Sequence, residues 1–183
     1  MSTLAVTTPT DFPILRWNQR SLYLWGVAFV TGNLALPQLC HLAALGGKIW
    51  LPVYLFTLLA SACFGWRAGL LTALASPLLN NLLFGMPPNA ALLVITVKSL
   101  LIVAFLPVLL RHFAIVPAVL LAVAGYQSVG ALFEWLWTGS SAAALQDIRL
   151  GWPGMVAQVL ITIAVLAIVA RKSVGSAANR ASA

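Results

Sequence analysis

Beyond Arg20 the chain settles into long apolar stretches, each near the length of a membrane span and each closed by proline, glycine or a lone charge. An α-helix needs about 20 mostly apolar residues to cross a bilayer's hydrocarbon core. The pattern predicts helices near 21–44, 49–64, 67–86, 90–110, 113–137 and 153–171. The first is long, and Pro37 marks a candidate break in it; the second is short and opens at Pro52. Only Gly65-Trp66-Arg67 separates the second from the third, which calls for a tight hairpin. Pro87-Pro88 is the sharpest interruption, because proline lacks the amide hydrogen a helix interior needs. Segment 138–152 reads as the longest loop, and residues from Lys172 onward read as a disordered tail. The expected organisation is a cytoplasmic N-terminal segment (1–20), a transmembrane domain of about six helices (21–171) and a cytoplasmic tail (172–183). The fold class is an all-α, polytopic membrane protein.

Composition strengthens this reading. Hydrophobic residues make up 62% of the 183 positions and charged residues 7%, against about 25% charged in soluble domains. So few charges cannot cover a water-facing surface, so lipid is the expected solvent. The formal charge of +7 comes from ten basic and three acidic residues. The basic residues are scattered singly, which argues against nucleic acid and for topology signals. With the N-terminus in the cytoplasm, Arg16, Arg20, Arg67, Arg111, Arg171, Lys172 and Arg180 all fall inside, and only Lys48 and Arg149 fall in outside loops. That asymmetry predicts an N-in, C-in multi-pass protein of the inner (plasma) membrane. No small-residue cleavage site follows the first apolar run, so it reads as an uncleaved helix.

This orientation gives each polar residue a depth. Gln38 and His41 fall near the outer end of the first helix, and Asn80 and Asn81 near that of the third. Glu134 lies about one turn below the outer end of the fifth helix, with Gln127 about 10 Å deeper on the same face. Lys98 lies about 12 Å into the fourth helix, and Gln158 in the outer half of the sixth. The inner halves carry almost nothing comparable. An ionised side chain near the bilayer centre costs roughly 2.5–3.5 kcal/mol, so Lys98 and Glu134 are expected to face inward. They either line a ligand pocket with Gln127, Asn80, Asn81 and Gln158, or form a bridge that only fixes packing; a lysine snorkelling outward is a third possibility. Lys98 then lies near the depth of Gln127, and between level helices the gap from there to Glu134 is too large for direct contact, although a lysine extended upward closes part of it; a vitamin-sized ligand would span it. Trp50, Trp135, Trp137 and Trp152 gather at the outer interface, where tryptophan collects in any membrane protein. Trp135 and Trp137 flank Glu134, however, and with Tyr126 are candidates for stacking on a flat or cationic ring.

Gly65-Trp66-Arg67-Ala68-Gly69, followed by Ala75-Ser76-Pro77-Leu78-Leu79 and Leu83-Phe84-Gly85-Met86-Pro87-Pro88, resembles the second and third helices of the substrate-binding S components of energy-coupling factor transporters. The layout of residues 20–171 is similar as well. Pro77 departs from the acidic residue that many members carry there. The resemblance implies a six-helix subunit that binds a vitamin or related micronutrient at its outer face. It also implies partners: a membrane coupling subunit and two ATPases. In that family, small residues four apart on the first helix serve docking, and Ala28 and Gly32 match that spacing; packing within the chain would use the same pair.

The chain itself reads as a non-enzyme with no cofactor and no metal site. It has no phosphate-binding loop, since Gly47-Lys48 lacks both the earlier glycine and the following Ser or Thr. It has no HExxH or GxSxG motif. Cys40 and Cys63 have no metal spacing, and His41 and His112 fall on opposite sides of the membrane. His41, beside Cys40 and near Gln38, is the one candidate for a single metal ligand. The rival reading is a structural membrane scaffold, in which the polar residues bridge helices and no ligand binds.

Overall fold

A computed structural model describes the backbone of residues 14–42 and 47–181. Of the described residues 89% are helical and none is in a strand, as the apolar pattern predicts. The elements in chain order are α1 (Arg20–Leu42), α2 (Gly47–Trp50), a 3-10 turn (Pro52–Tyr54), α3 (Leu55–Phe64), α4 (Trp66–Phe84), α5 (Asn89–His112), α6 (Ile115–Thr138), α7 (Ser141–Ala144) and α8 (Gln146–Ala181). Asn89–His112, Ile115–Thr138 and the stretch Ser141–Arg171 are each long and apolar enough to cross a membrane. This is a membrane protein by the length and composition of those helices.

The joints explain themselves locally. Gly65 alone connects α3 to α4, at φ 84°, where a side chain would be strained. Gly85 and Gly139 close α4 and α6 in the left-handed conformation, each returning its amide to a carbonyl four residues back, on Asn81 and Trp135. α1 runs unbroken through Pro37.

Three sequence expectations change. The stretch near 49–64 is not one helix. The chain turns at Leu51, the only non-glycine residue with positive φ among those described (φ 44°, ψ 48°). Segment 138–152 is not a loop: after the single turn of α7, α8 starts at Gln146, with Pro153 inside it. The backbone of α8 also continues to Ala181, through the stretch expected to be a disordered tail.

α3 sits at the centre, with every residue from Thr57 to Cys63 buried, and α1, α4, α5 and α8 pack around it. A continuous core joins Leu58 and Cys63 of α3, Ile102 and Leu106 of α5, Ala118, Ala122 and Tyr126 of α6, and Leu166 of α8. α2 lies directly on α8: a Cβ on Gly154 would collide with the Trp50 carbonyl. The start of α1 and the α3–α4 joint share one end of the bundle, tied by Leu15 N–H donating to the Phe64 carbonyl at 3.2 Å. The end of α6 and the start of α8 form the opposite end.

Candidate functional site

At that opposite end, α5, α6 and α8 bring together an ion triad. Lys98 Nζ donates to Glu134 Oε2 and to Asp147 Oδ2, each at 2.7 Å. Lys98 is only 1% exposed, while Glu134 and Asp147 keep 18% and 22% of their side chains accessible. The lysine is therefore covered, and the two carboxylates form the accessible rim. One cation against two anions leaves a net charge of −1. Asp147 also lies in the first turn of α8, where the helix dipole favours an acid.

Gly130 makes the triad possible. A Cβ there would lie 2.5 Å from Lys98 Cγ and 2.9 Å from Cε, so the lysine stem crosses α6 directly over this glycine. This corrects the expected gap between Lys98 and Glu134. Lys98 lies level with Gly130 rather than with Gln127, about one turn higher than depth counting places it. Its stem, rising along α6, covers the remaining distance to Glu134.

A second polar layer continues from the triad. Tyr126 Oη donates to Gln158 Oε1 at 2.6 Å, and Gln158 Nε2 donates to the Leu51 carbonyl at 3.1 Å. The strained turn at Leu51 thus presents a backbone acceptor to α8. A left-handed non-glycine residue costs roughly 1–2 kcal/mol, and this hydrogen bond offsets part of that. The rings of Tyr54 and Tyr126 lie 5.3 Å apart. Both tyrosines are within electrostatic reach of Asp147, and Tyr54 also of Glu134, which makes the two layers one cluster.

Gln127 differs from its neighbours. It is 3% exposed, yet neither its amide oxygen nor its amide nitrogen has a partner. It shares the α6 face that carries Gly130 and Glu134, by the three- and seven-residue spacing. The Ser99 and Thr162 hydroxyls on α5 and α8 are likewise buried without a partner. Most buried polar atoms in folded proteins are hydrogen-bonded. Here the same three helices that build the triad also hold unpaired donors and acceptors.

Other residues picked out from the sequence lie elsewhere. Asn80 accepts from Gln38 Nε2 at 3.4 Å, joining α4 to α1. Asn81 donates to the Pro87 carbonyl at 2.7 Å and to Asn89 Oδ1 at 2.9 Å, which holds the α4–α5 turn. Trp135 and Trp137 are 49% and 60% exposed, and Trp137 stacks on Phe133 outside the cluster. Ala28 is exposed on α1. Gly32 instead faces inward, with the Phe56 ring 2.6 Å from where its Cβ would be, so packing within the chain accounts for this glycine. His41 is exposed at the end of α1.

Sequence reasoning missed Asp147, Tyr54, Leu51 and Gly130. A signal for Asp147 was available: the chain has only three acidic residues, which makes each one a candidate counter-ion for a membrane lysine. Asn33 was missed as well. It donates to Thr57 and Ser76 at 3.0 and 3.2 Å and accepts from the Phe56 amide at 3.2 Å. With those bonds it joins α1, α3 and α4 and is fully satisfied by structure.

Comparison of the chain with family models, curated proteins and solved structures yields no match.

Proposed function

We propose that this protein is the membrane-embedded substrate-binding subunit of an ATP-driven importer, similar to the S components of energy-coupling factor transporters, for a vitamin-sized heteroaromatic micronutrient. In this reading it has six spans with both termini in the cytoplasm and lies in the inner membrane. ATP hydrolysis is supplied by a membrane coupling subunit with two ATPases, which dock on the α1 face carrying Ala28. The substrate enters at the triad end.

The observation that carries the reading is Gln127. An amide buried at 3% exposure with both atoms unpaired costs about 1–3 kcal/mol. A scaffold has no use for that cost, whereas a binding site recovers it when a ligand arrives. The triad sets the polarity of the encounter. Lys98 is covered and already paired, so direct contact falls to the accessible carboxylates of Glu134 and Asp147. They suit a ligand that presents N–H donors or a positive charge.

One observation favours the scaffold reading: Lys98 is fully accounted for by two bonds within the chain. Calorimetry on the purified protein against a panel of vitamins separates the two. Binding that weakens at least tenfold, about 1.4 kcal/mol, in Gln127→Leu and Glu134→Gln supports the importer reading. Binding to no member of the panel, with an intact fold, supports the scaffold.

A further inference from the structure

The end of the bundle away from the triad has the opposite electrostatic character. Both acidic residues among those described, Glu134 and Asp147, are engaged with Lys98 at the triad end. Arg16, Arg20, Arg67, Arg111 and Arg171 all lie toward the other end, and none of them forms an ion pair among the described residues. Among the described residues no carboxylate is left to pair with them.

Three of these arginines are held in one corner. Trp17 meets Trp66 edge to face, with ring centroids 6.0 Å apart. Leu15 N–H donates to the Phe64 carbonyl at 3.2 Å, and Tyr23 Oη donates to the Trp17 carbonyl at 3.0 Å. These contacts fix Arg16 and Arg20 beside the start of α4. There the Arg67 guanidinium lies 4.7 Å from the centroid of the Trp66 ring. Its Nε is buried and has no acceptor. Trp17, in the turn before α1, and Trp66, the first residue of α4, stay 42% and 39% exposed beside helices whose outer surfaces, such as Leu24, Val27 and Leu74, are apolar. Amphipathic rings beside apolar helix surface are typical of the headgroup level of a bilayer.

We propose that the Trp17–Trp66 corner binds the headgroup of an anionic phospholipid. Its phosphate accepts from Arg67, whose planar fork suits phosphate oxygens, and from Arg16 and Arg20 across the ring pair. The acyl chains lie along α1 and α4. Basic sites between membrane helices recognise acidic headgroups in this way. The inference rests on the membrane reading alone and not on the import function.

Native mass spectrometry of the full-length protein, with phosphatidylglycerol and phosphatidylcholine of matched acyl chains in competition, tests it. The wild type should retain phosphatidylglycerol preferentially. Arg16→Gln alone should reduce that preference about fivefold, the order expected for one arginine near an anionic surface. Arg16→Gln with Arg67→Gln should abolish it. Arg149→Gln, at the triad end, should leave it unchanged. Arg16 is exposed and its side chain makes no bond among the described residues, so its single variant tests the site even where the double variant fails to fold. No preference in the wild type, as expected for a corner reserved for an acidic protein partner, overturns the proposal. So does a preference that Arg16→Gln leaves intact. Displacement of the lipid by millimolar inorganic phosphate would also overturn it, since that marks a free-anion site.

Discussion

Replacing Lys98 by methionine keeps most of the stem's volume over Gly130 and removes only the charge. Glu134 Oε2 and Asp147 Oδ2 are each 2.7 Å from Lys98 Nζ, so they are no further apart than those two bonds laid end to end. Without the ammonium, two carboxylates face each other in a site shared with Tyr54 and Tyr126. Removing one partner of a buried ion pair typically costs 3–5 kcal/mol. Here the carboxylates are 18% and 22% exposed, which admits some solvent and counter-ion, so the expected loss is about 3 kcal/mol. Because this lysine ties α5, α6 and α8 together at that level, the triad end should loosen first. Reversible unfolding in mixed micelles, followed by tryptophan fluorescence, measures the loss. Asp147→Asn in the Lys98→Met background should recover at least about 1 kcal/mol, since it removes the repulsion. A Lys98→Met protein within about 0.5 kcal/mol of wild type, or full additivity with Asp147→Asn, would refute the triad as a stabilising unit.

Three further predictions follow from single positions. Gly130→Ala should destabilise by about 1–3 kcal/mol, since its methyl would overlap Lys98 Cγ and Cε; unchanged unfolding would mean that the lysine stem does not cross there. Gln127→Leu should raise stability by about 1 kcal/mol, because it removes two unpaired buried atoms, while abolishing ligand binding; a loss of stability would show that the amide is satisfied in the free protein. Ala28→Leu should block uptake in cells without lowering stability, whereas Gly32→Leu should lower the melting temperature itself by driving a side chain into Phe56. Equal melting temperatures for the two would contradict this division of roles.

Three of the expected spans, those that became α5, α6 and α8, were legible in the sequence because hydrophobicity is a local property and proline and glycine punctuate it. The all-α class and the positions of α5 and α6 followed from that alone. The presence of costly polar residues toward one end of α5, α6 and α8 was legible for the same reason: depth along a helix is counted residue by residue. What the sequence could not supply was axial register between helices. Counting placed Lys98 level with Gln127, but the α5–α6 packing sets it over Gly130, and only there does a lysine reach Glu134. The identity of the third partner depended on where α8 begins. Pro153 looked like its start, yet the helix tolerates a proline in its third turn, and the seven residues before it carry Asp147 to Lys98.

The sequence by itself therefore determined the solvent this chain requires, the approximate length of its helices and the existence of an ionic cost that something must offset. The tertiary structure alone decided what offsets it, making the triad of Lys98, Glu134 and Asp147 from three helices and leaving the Gln127 amide unpaired. The physical reason is range. Burial in lipid is settled by a stretch of chain acting alone, while a charge pair needs two or three stretches brought within a few ångströms, and that is set by packing at a single glycine.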